Sequence, residues 1–164
     1  MSDWTIRDAR PEDHDTIRVV NVSNEPEVGP LDAARLELFT HAAARFQVVV
    51  ADDEVVGLFV GLTEGVDYAS PNYRWFTERH PRFAYVDRVA LQPTARGSGC
   101  ADALYENFEG WARETERPLL CAEVNTVPAN ARSMRFHERR GFVMVDEIAP
   151  YGGEERVAML EKRL

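Results

Sequence analysis

Cysteine is scarce in this chain: Cys100 and Cys121 are the only two among 164 residues. Two thiols without metal-like spacing build no disulfide framework, so a reducing cytoplasm is the expected setting. Long apolar runs are also missing. No stretch approaches the roughly 18 residues that span a membrane. The opening Met1-Ser-Asp-Trp-Thr-Ile-Arg-Asp8 lacks the basic-then-apolar pattern of a secretory signal. Basic charge is in deficit, with 19 Lys and Arg against 28 Asp and Glu and a net charge of −9. That balance argues against broad nucleic-acid binding, and it means that an anionic ligand must be drawn by local donors. His14, His41 and His80 are scattered without ligand spacing, so no metal is expected. Repeats, low-complexity tracts and linker-like shifts are absent too, and residues 1–164 read as a single domain.

What is present is the composition of a globular protein, 45% hydrophobic and 29% charged. Trp4 to Asp8 reads as a strand, Pro11 to Ser23 and Leu31 to Ala44 as helices, and the proline-rich Asn24 to Pro30 as the loop between them. Gln47–Ala51 and Val55–Leu62 flank Asp52-Asp53-Glu54, a hairpin signal. Thr63 to Arg82 has no strand character but holds Ser70-Pro71, a good start for a short helix. A strand over Phe83–Leu91, an amphipathic helix over Gly99–Thr115 and a strand over Leu119–Val124 follow. A helix over Asn130–Arg140 and strands over Phe142–Ile148 and Arg156–Leu160 complete the chain. This order implies an α/β protein with a mixed sheet, its centre antiparallel and one later pair joined by a helical crossover.

The richest segment is Arg96-Gly97-Ser98-Gly99-Cys100-Ala101, set between a strand and a helix. Small residues let a backbone approach a ligand, and the helix start offers unpaired N–H groups and a positive dipole end. Such a site holds phosphate. A Walker loop is excluded, since no Gly-Lys-Ser/Thr follows. The dinucleotide fingerprint fails at its third glycine, where Asp102 stands, although Glu123 can imitate the ribose-reading acid. A plain glycine turn is the remaining alternative.

Arg96-x-x-Gly99-x-Ala101 resembles motif A of the GNAT superfamily of acyl-CoA N-acyltransferases. Asn130-Ala-Arg-Ser133-Met-Arg-Phe136-His137-Glu-Arg-Arg-Gly141-Phe142 resembles its motif B, in the family's order and spacing. Ser70-Pro-Asn-Tyr-Arg-Trp-Phe76, Tyr85-Val-Asp-Arg88 and Glu123-Val-Asn125 are similar to a subgroup of bacterial acetyltransferases. The resemblance implies a GNAT fold: a twisted, mixed, mostly antiparallel seven-stranded sheet with helices on both faces. It also implies transfer of an acetyl group from acetyl-CoA to the amine of a small molecule or amino-acid-like substrate. A rival reading is a non-catalytic, regulatory acyl-CoA-binding domain.

By the same resemblance, Val89, Ala90 and Leu91 pair their main chain with the pantetheine arm. Arg96, Gly97, Ser98, Gly99, Cys100 and Ala101 hold the pyrophosphate, and Asn130 and Ser133 contact the cofactor. Asn130 suits an N-cap equally well. His137 stands where many members place a tyrosine; it either protonates the departing thiolate or packs beside the sulfur. A carboxylate is needed to take the amine's proton, and Asp87, Glu123 and Glu25 are the candidates, with an ion pair as the bland alternative for Asp87. Glu25, Tyr73, Trp75 and Asn125 are placed with the acceptor. Aromatics such as Tyr68, Tyr73, Trp75 and Phe76 equally pack a segment onto the core or form a homodimer interface. Cys121 reads as core, and Cys100 has no adjacent base to make it a nucleophile.

Overall fold

The structure, a computed structural model, describes residues 3–164. The chain runs β1 (Trp4–Asp8), α1 (His14–Val22), α2 (Ala33–Ala42), β2 (Arg45–Ala51), β3 (Glu54–Thr63) and α3 (Pro71–Thr77). It continues through β4 (Ala84–Leu91), α4 (Cys100–Glu114), β5 (Leu119–Val127), α5 (Ala131–Arg139), β6 (Val143–Ile148) and β7 (Arg156–Arg163). The strands hydrogen-bond in the order β1-β2-β3-β4-β5-β7-β6. The β4–β5 pair is parallel, while β1–β2, β2–β3, β5–β7 and β6–β7 are antiparallel. The mixed, mostly antiparallel sheet expected from the sequence is what forms, and α4 supplies the long crossover that a parallel pair requires.

Two compact units make up the chain, one from residues up to Leu62 with Val86–Trp111, the other from Thr63–Tyr85 with Ala112–Leu164. In the first, Asp52 and Asp53 both take positive φ (51° and 63°) and close the β2–β3 hairpin between Ala51 and Glu54. Aspartate tolerates that left-handed turn better than most residues. The first helix starts later than Pro11, after a 3-10 turn over Pro11–Asp13. There the Asp13 carboxylate accepts from Arg10 N–H (2.7 Å) and from both Arg7 guanidinium nitrogens (2.7 and 2.9 Å). The second helix starts at Ala33 rather than Leu31, because Asp32 caps it by accepting from Arg35 N–H at 2.8 Å. Phe59 on β3 meets Tyr105 and Phe108 of α4 edge to face, with centroids 6.0 and 5.4 Å apart.

In the second unit, Ser70 and Pro71 start α3 as expected, with Ser70 Oγ accepting from Tyr73 N–H at 3.4 Å. Tyr73, Phe76, Phe83 and Tyr85 form an aromatic core, each at most 1% exposed. The parallel ladder pairs Ala84 with Leu120 and Tyr85 with Cys121. Strands β5 and β7 run longer than their apolar residues suggest, because each supplies the other's hydrogen bonds from Leu119↔Arg163 onward.

Helix α4 approaches β3 closely at Gly61, where a Cβ would fall 2.6 Å from the Phe108 ring. That ring is 1% exposed and held by Phe59 and by Trp111, stacked at 5.7 Å, so it cannot yield. Gly61→Ala is therefore expected to lower stability by about 1–3 kcal/mol, read as a reduced urea midpoint with an unchanged slope.

Candidate active site

In the first unit, β4 ends at Leu91, a 3-10 turn covers Pro93–Ala95 and α4 begins at Cys100. Between them Gly97 (φ 75°) and Gly99 (φ 87°) take the left-handed backbone that side chains disfavour. A Cβ built on either glycine meets nothing within 4 Å, so glycine serves the backbone shape and the space beyond the turn is open. Ala103 N–H reaches back to Gly99 O at 3.1 Å. The amides before it precede the helical ladder, and the 15-residue α4 adds its positive end there. The turn is braced from behind. Ser98 Oγ and the Cys100 thiol both donate to the Ala95 carbonyl (2.7 and 3.6 Å), and Trp4 Nε1 donates to Ser98 O (3.3 Å). Cys100 is wholly buried, so its thiol is a brace within the turn. This backbone cradle fits a diphosphate.

The same unit holds a buried polar network. Arg88 Nε donates to Asp87 Oδ2 at 2.8 Å, and both side chains are 3% exposed. Arg88 Nη1 donates to Asn21 Oδ1 and to Gly29 O, each at 2.8 Å. Asn21 Nδ2 in turn donates to Glu25 Oε1 (3.2 Å) and to Gly29 O (3.1 Å). Central strand β4 thereby holds the α1–α2 loop. Asn24 adds a second tie, donating to Leu91 O at 3.1 Å and accepting from Arg96 Nη2 at 3.3 Å.

In the second unit, Glu123 lies on β5, two residues beyond the Tyr85↔Cys121 pair. Its Oε1 accepts from Tyr85 Oη at 2.8 Å and from Asn72 Nδ2 at 3.4 Å. On α5, Asn130 Oδ1 caps the helix by accepting from Ser133 N–H at 3.2 Å. His137, one turn on, lies 2.8 Å from Ser133 O through Nδ1, with Phe136 and Phe142 edge-on to its ring at 5.3 and 5.1 Å. A carbonyl can only accept, so Nδ1 carries the proton and Nε2 a lone pair. Burial lowers its pKa from 6.5 to about 4, against the opposing pull of the Ser133 bond.

Residues 9–142 match the sequence profile described as the Acetyltransferase (GNAT) family. The chain belongs to this family. The acetyltransferase is an acyl-CoA-dependent N-acetyltransferase, and its acyl donor is acetyl-CoA. Solved structures share its fold. Ard1 from Thermoplasma volcanium is 22% identical with a TM-score of 0.75, covering 98% of this chain and 97% of its own. Arabidopsis thaliana Naa50 in complex with the bisubstrate analogue CoA-Ac-MVNAL is 15% identical with a TM-score of 0.77, covering 98% and 99%. An N-acetyltransferase from Staphylococcus aureus Mu50 is 18% identical with a TM-score of 0.71, covering 99% of both chains. At these identities the likeness speaks for the fold alone. No curated protein sequence matches significantly.

Several residues singled out in the acetyltransferase sequence have partners within the chain. Tyr73 lines no pocket: it is 1% exposed, donates from Oη to Thr63 O (2.8 Å) and accepts from Val66 N–H (3.0 Å). Asp87 serves the Arg88 ion pair. His137 is neutral at pH 7, with its Nδ1–H directed at Ser133 O. Trp75 carries the Arg79 guanidinium 3.8 Å above its ring, and Asn125 donates to Glu155 Oε1 at 3.4 Å. Tyr85, Asn72, Asn21 and Asn24 join these clusters without having been singled out as site residues. Tyr85 and Asn72 carried a signal, through the Tyr85-Val-Asp-Arg88 and Ser70-Pro-Asn-Tyr-Arg-Trp-Phe76 segments.

The His137 shift sets a stability profile. Between pH 4 and 6.5 the unfolded chain binds more protons than the folded one, so this contribution is complete above pH 6.5 and falls away toward pH 4. Roughly 3 kcal/mol is lost over that window. His137→Gln should flatten the melting temperature's pH dependence there. Further acid loss comes from Asp13, held low by Arg7, and from Glu64, where burial is outweighed by Arg117 together with the Glu64 and Phe83 backbone N–H groups.

Proposed function

We propose that this acetyltransferase acetylates the amine of a small, amino-acid-like substrate by direct attack on the thioester, with residues 1–164 working as one catalytic domain. The observation that carries the reading is the open turn at Gly97 and Gly99 ahead of α4. On a chain of net charge −9, a diphosphate is drawn by such local donors rather than by the overall field. Acetyl-CoA supplies the activated acetyl group. The segment Arg96, Gly97, Ser98, Gly99, Cys100 and Ala101 holds its diphosphate through the main chain from Gly97 onward, since the Arg96 N–H already donates to Pro93 O at 3.2 Å. The backbone of Val89, Ala90 and Leu91 lies along the pantetheine arm and offers N–H groups to the carbonyl. Asn130 and Ser133 contact the arm from the start of α5.

Glu123 takes the amine's proton. For an alkylamine of pKa about 10.4, freeing the base at pH 7 costs about 4 to 5 kcal/mol, and for an α-amino group near 8 about 1 kcal/mol. A positioned carboxylate therefore matters most for an alkylamine. Glu25, Trp75 and Asn125 contact the acceptor, and Asp87 acts indirectly by holding Arg88. His137 packs beside the reacting end. The thiolate, of ordinary pKa about 8.5, regains its proton from water.

The reading places the enzyme in the cytoplasm as a homodimer. Exposed Val143, Met144 and Val145 on edge strand β6 support the pairing. A peptide's N-terminal α-amine is the second reading, favoured by the likeness to Naa50 with its peptide-bearing analogue. A thiol-release assay across alkylamines, amino acids and short peptides separates the two.

Gly99→Val should weaken acetyl-CoA binding at least tenfold, seen as loss of the ligand-induced rise in melting temperature. Glu123→Gln should lower kcat at least tenfold while that rise persists. Full turnover in Glu123→Gln would remove this residue from the mechanism.

A further inference from the structure

We propose that Tyr85 and Asn72 are positioning residues for Glu123, together holding its carboxylate in the orientation that receives the amine's proton. The inference rests on the reading of Glu123 as the base. Both side chains converge on one oxygen, Oε1, at 2.8 Å from Tyr85 Oη and 3.4 Å from Asn72 Nδ2. A carboxylate only accepts, so the phenol O–H points at Glu123 and its direction is fixed. Tyr85 is 0% exposed, which keeps it from touching substrate and assigns it to an indirect role. Its ring is clamped by Tyr73 (5.5 Å, 67°) and Phe76 (5.7 Å, 52°), so the hydroxyl cannot swing away.

Asn72 is held at some cost. Flipping its amide would set Oδ1 against the carboxylate oxygen, so Nδ2 faces Glu123. Its own Oδ1 is then buried without a hydrogen-bond partner among the described residues. Buried acceptors are normally met, and one left unmet beside a reactive carboxylate marks a side chain kept for its neighbour. These features make the cluster a fixed hydrogen-bond scaffold around Oε1.

A double-mutant cycle in the full chain tests this, with kcat and KM measured for a reactive amine and acetyl-CoA binding followed by thermal shift. Tyr85→Phe should lower kcat about tenfold and Asn72→Ala about threefold, with acetyl-CoA binding unchanged. Asn72→Asp, of the same shape but without the donor, should not restore the rate. In the Glu123→Gln background each loss should shrink below twofold, because the positioned group is gone. Equal losses in both backgrounds would overturn the inference while leaving Glu123 as the base. Wild-type kcat in Glu123→Gln would instead overturn the reading of Glu123, and this inference with it. Should Tyr85→Phe fold poorly, the Asn72 variants carry the same cycle.

Discussion

Main-chain N–H groups at the start of α4, shaped by two left-handed glycines, are the interaction on which the proposed cofactor site of this acetyltransferase depends. An acidic protein repels a polyanionic donor at long range, so affinity must come from short-range donors that cost no side-chain ordering. The surrounding residues keep that backbone in place. Trp4 holds the Ser98 carbonyl, while Ser98 and Cys100 hold the Ala95 carbonyl. With those carbonyls engaged, the backbone of the turn is held in one shape.

Elsewhere the protein uses buried polar groups to fix irregular segments. Arg88 is 5% exposed, yet it engages Asp87, Asn21 and Gly29. Breaking one partner of such a pair strands the other in a low-dielectric interior, which makes the α1–α2 loop hard to displace. His137 shows the opposite solution. Wedged between Phe136 and Phe142, it is kept neutral, and its ring serves as a hydrogen-bonded packing element on α5.

Features that demand a particular backbone were legible in the chain before folding. Gly97 and Gly99, the Ser70-Pro71 helix start, the Asp52-Asp53 hairpin and the Asn130 cap each depend on one residue type's conformational preference, and each appears where read. Features decided by tertiary neighbours were not. Tyr73 has the composition of a pocket wall, and only its bonds to Thr63 and Val66 make it core. Asp87 in an apolar strand reads as a catalytic carboxylate or an ion pair, and Arg88 decides between them. The donors around Glu123 come from residues 38 and 51 positions away, a distance that no local pattern spans.

The most direct measurement is a titration of the ¹⁵N-labelled protein with coenzyme A, following backbone amides. The account predicts that the largest downfield proton shifts cluster at residues 97–101 and saturate together with one binding constant. Unmoved amides across that turn, with coenzyme A nevertheless bound, would contradict it.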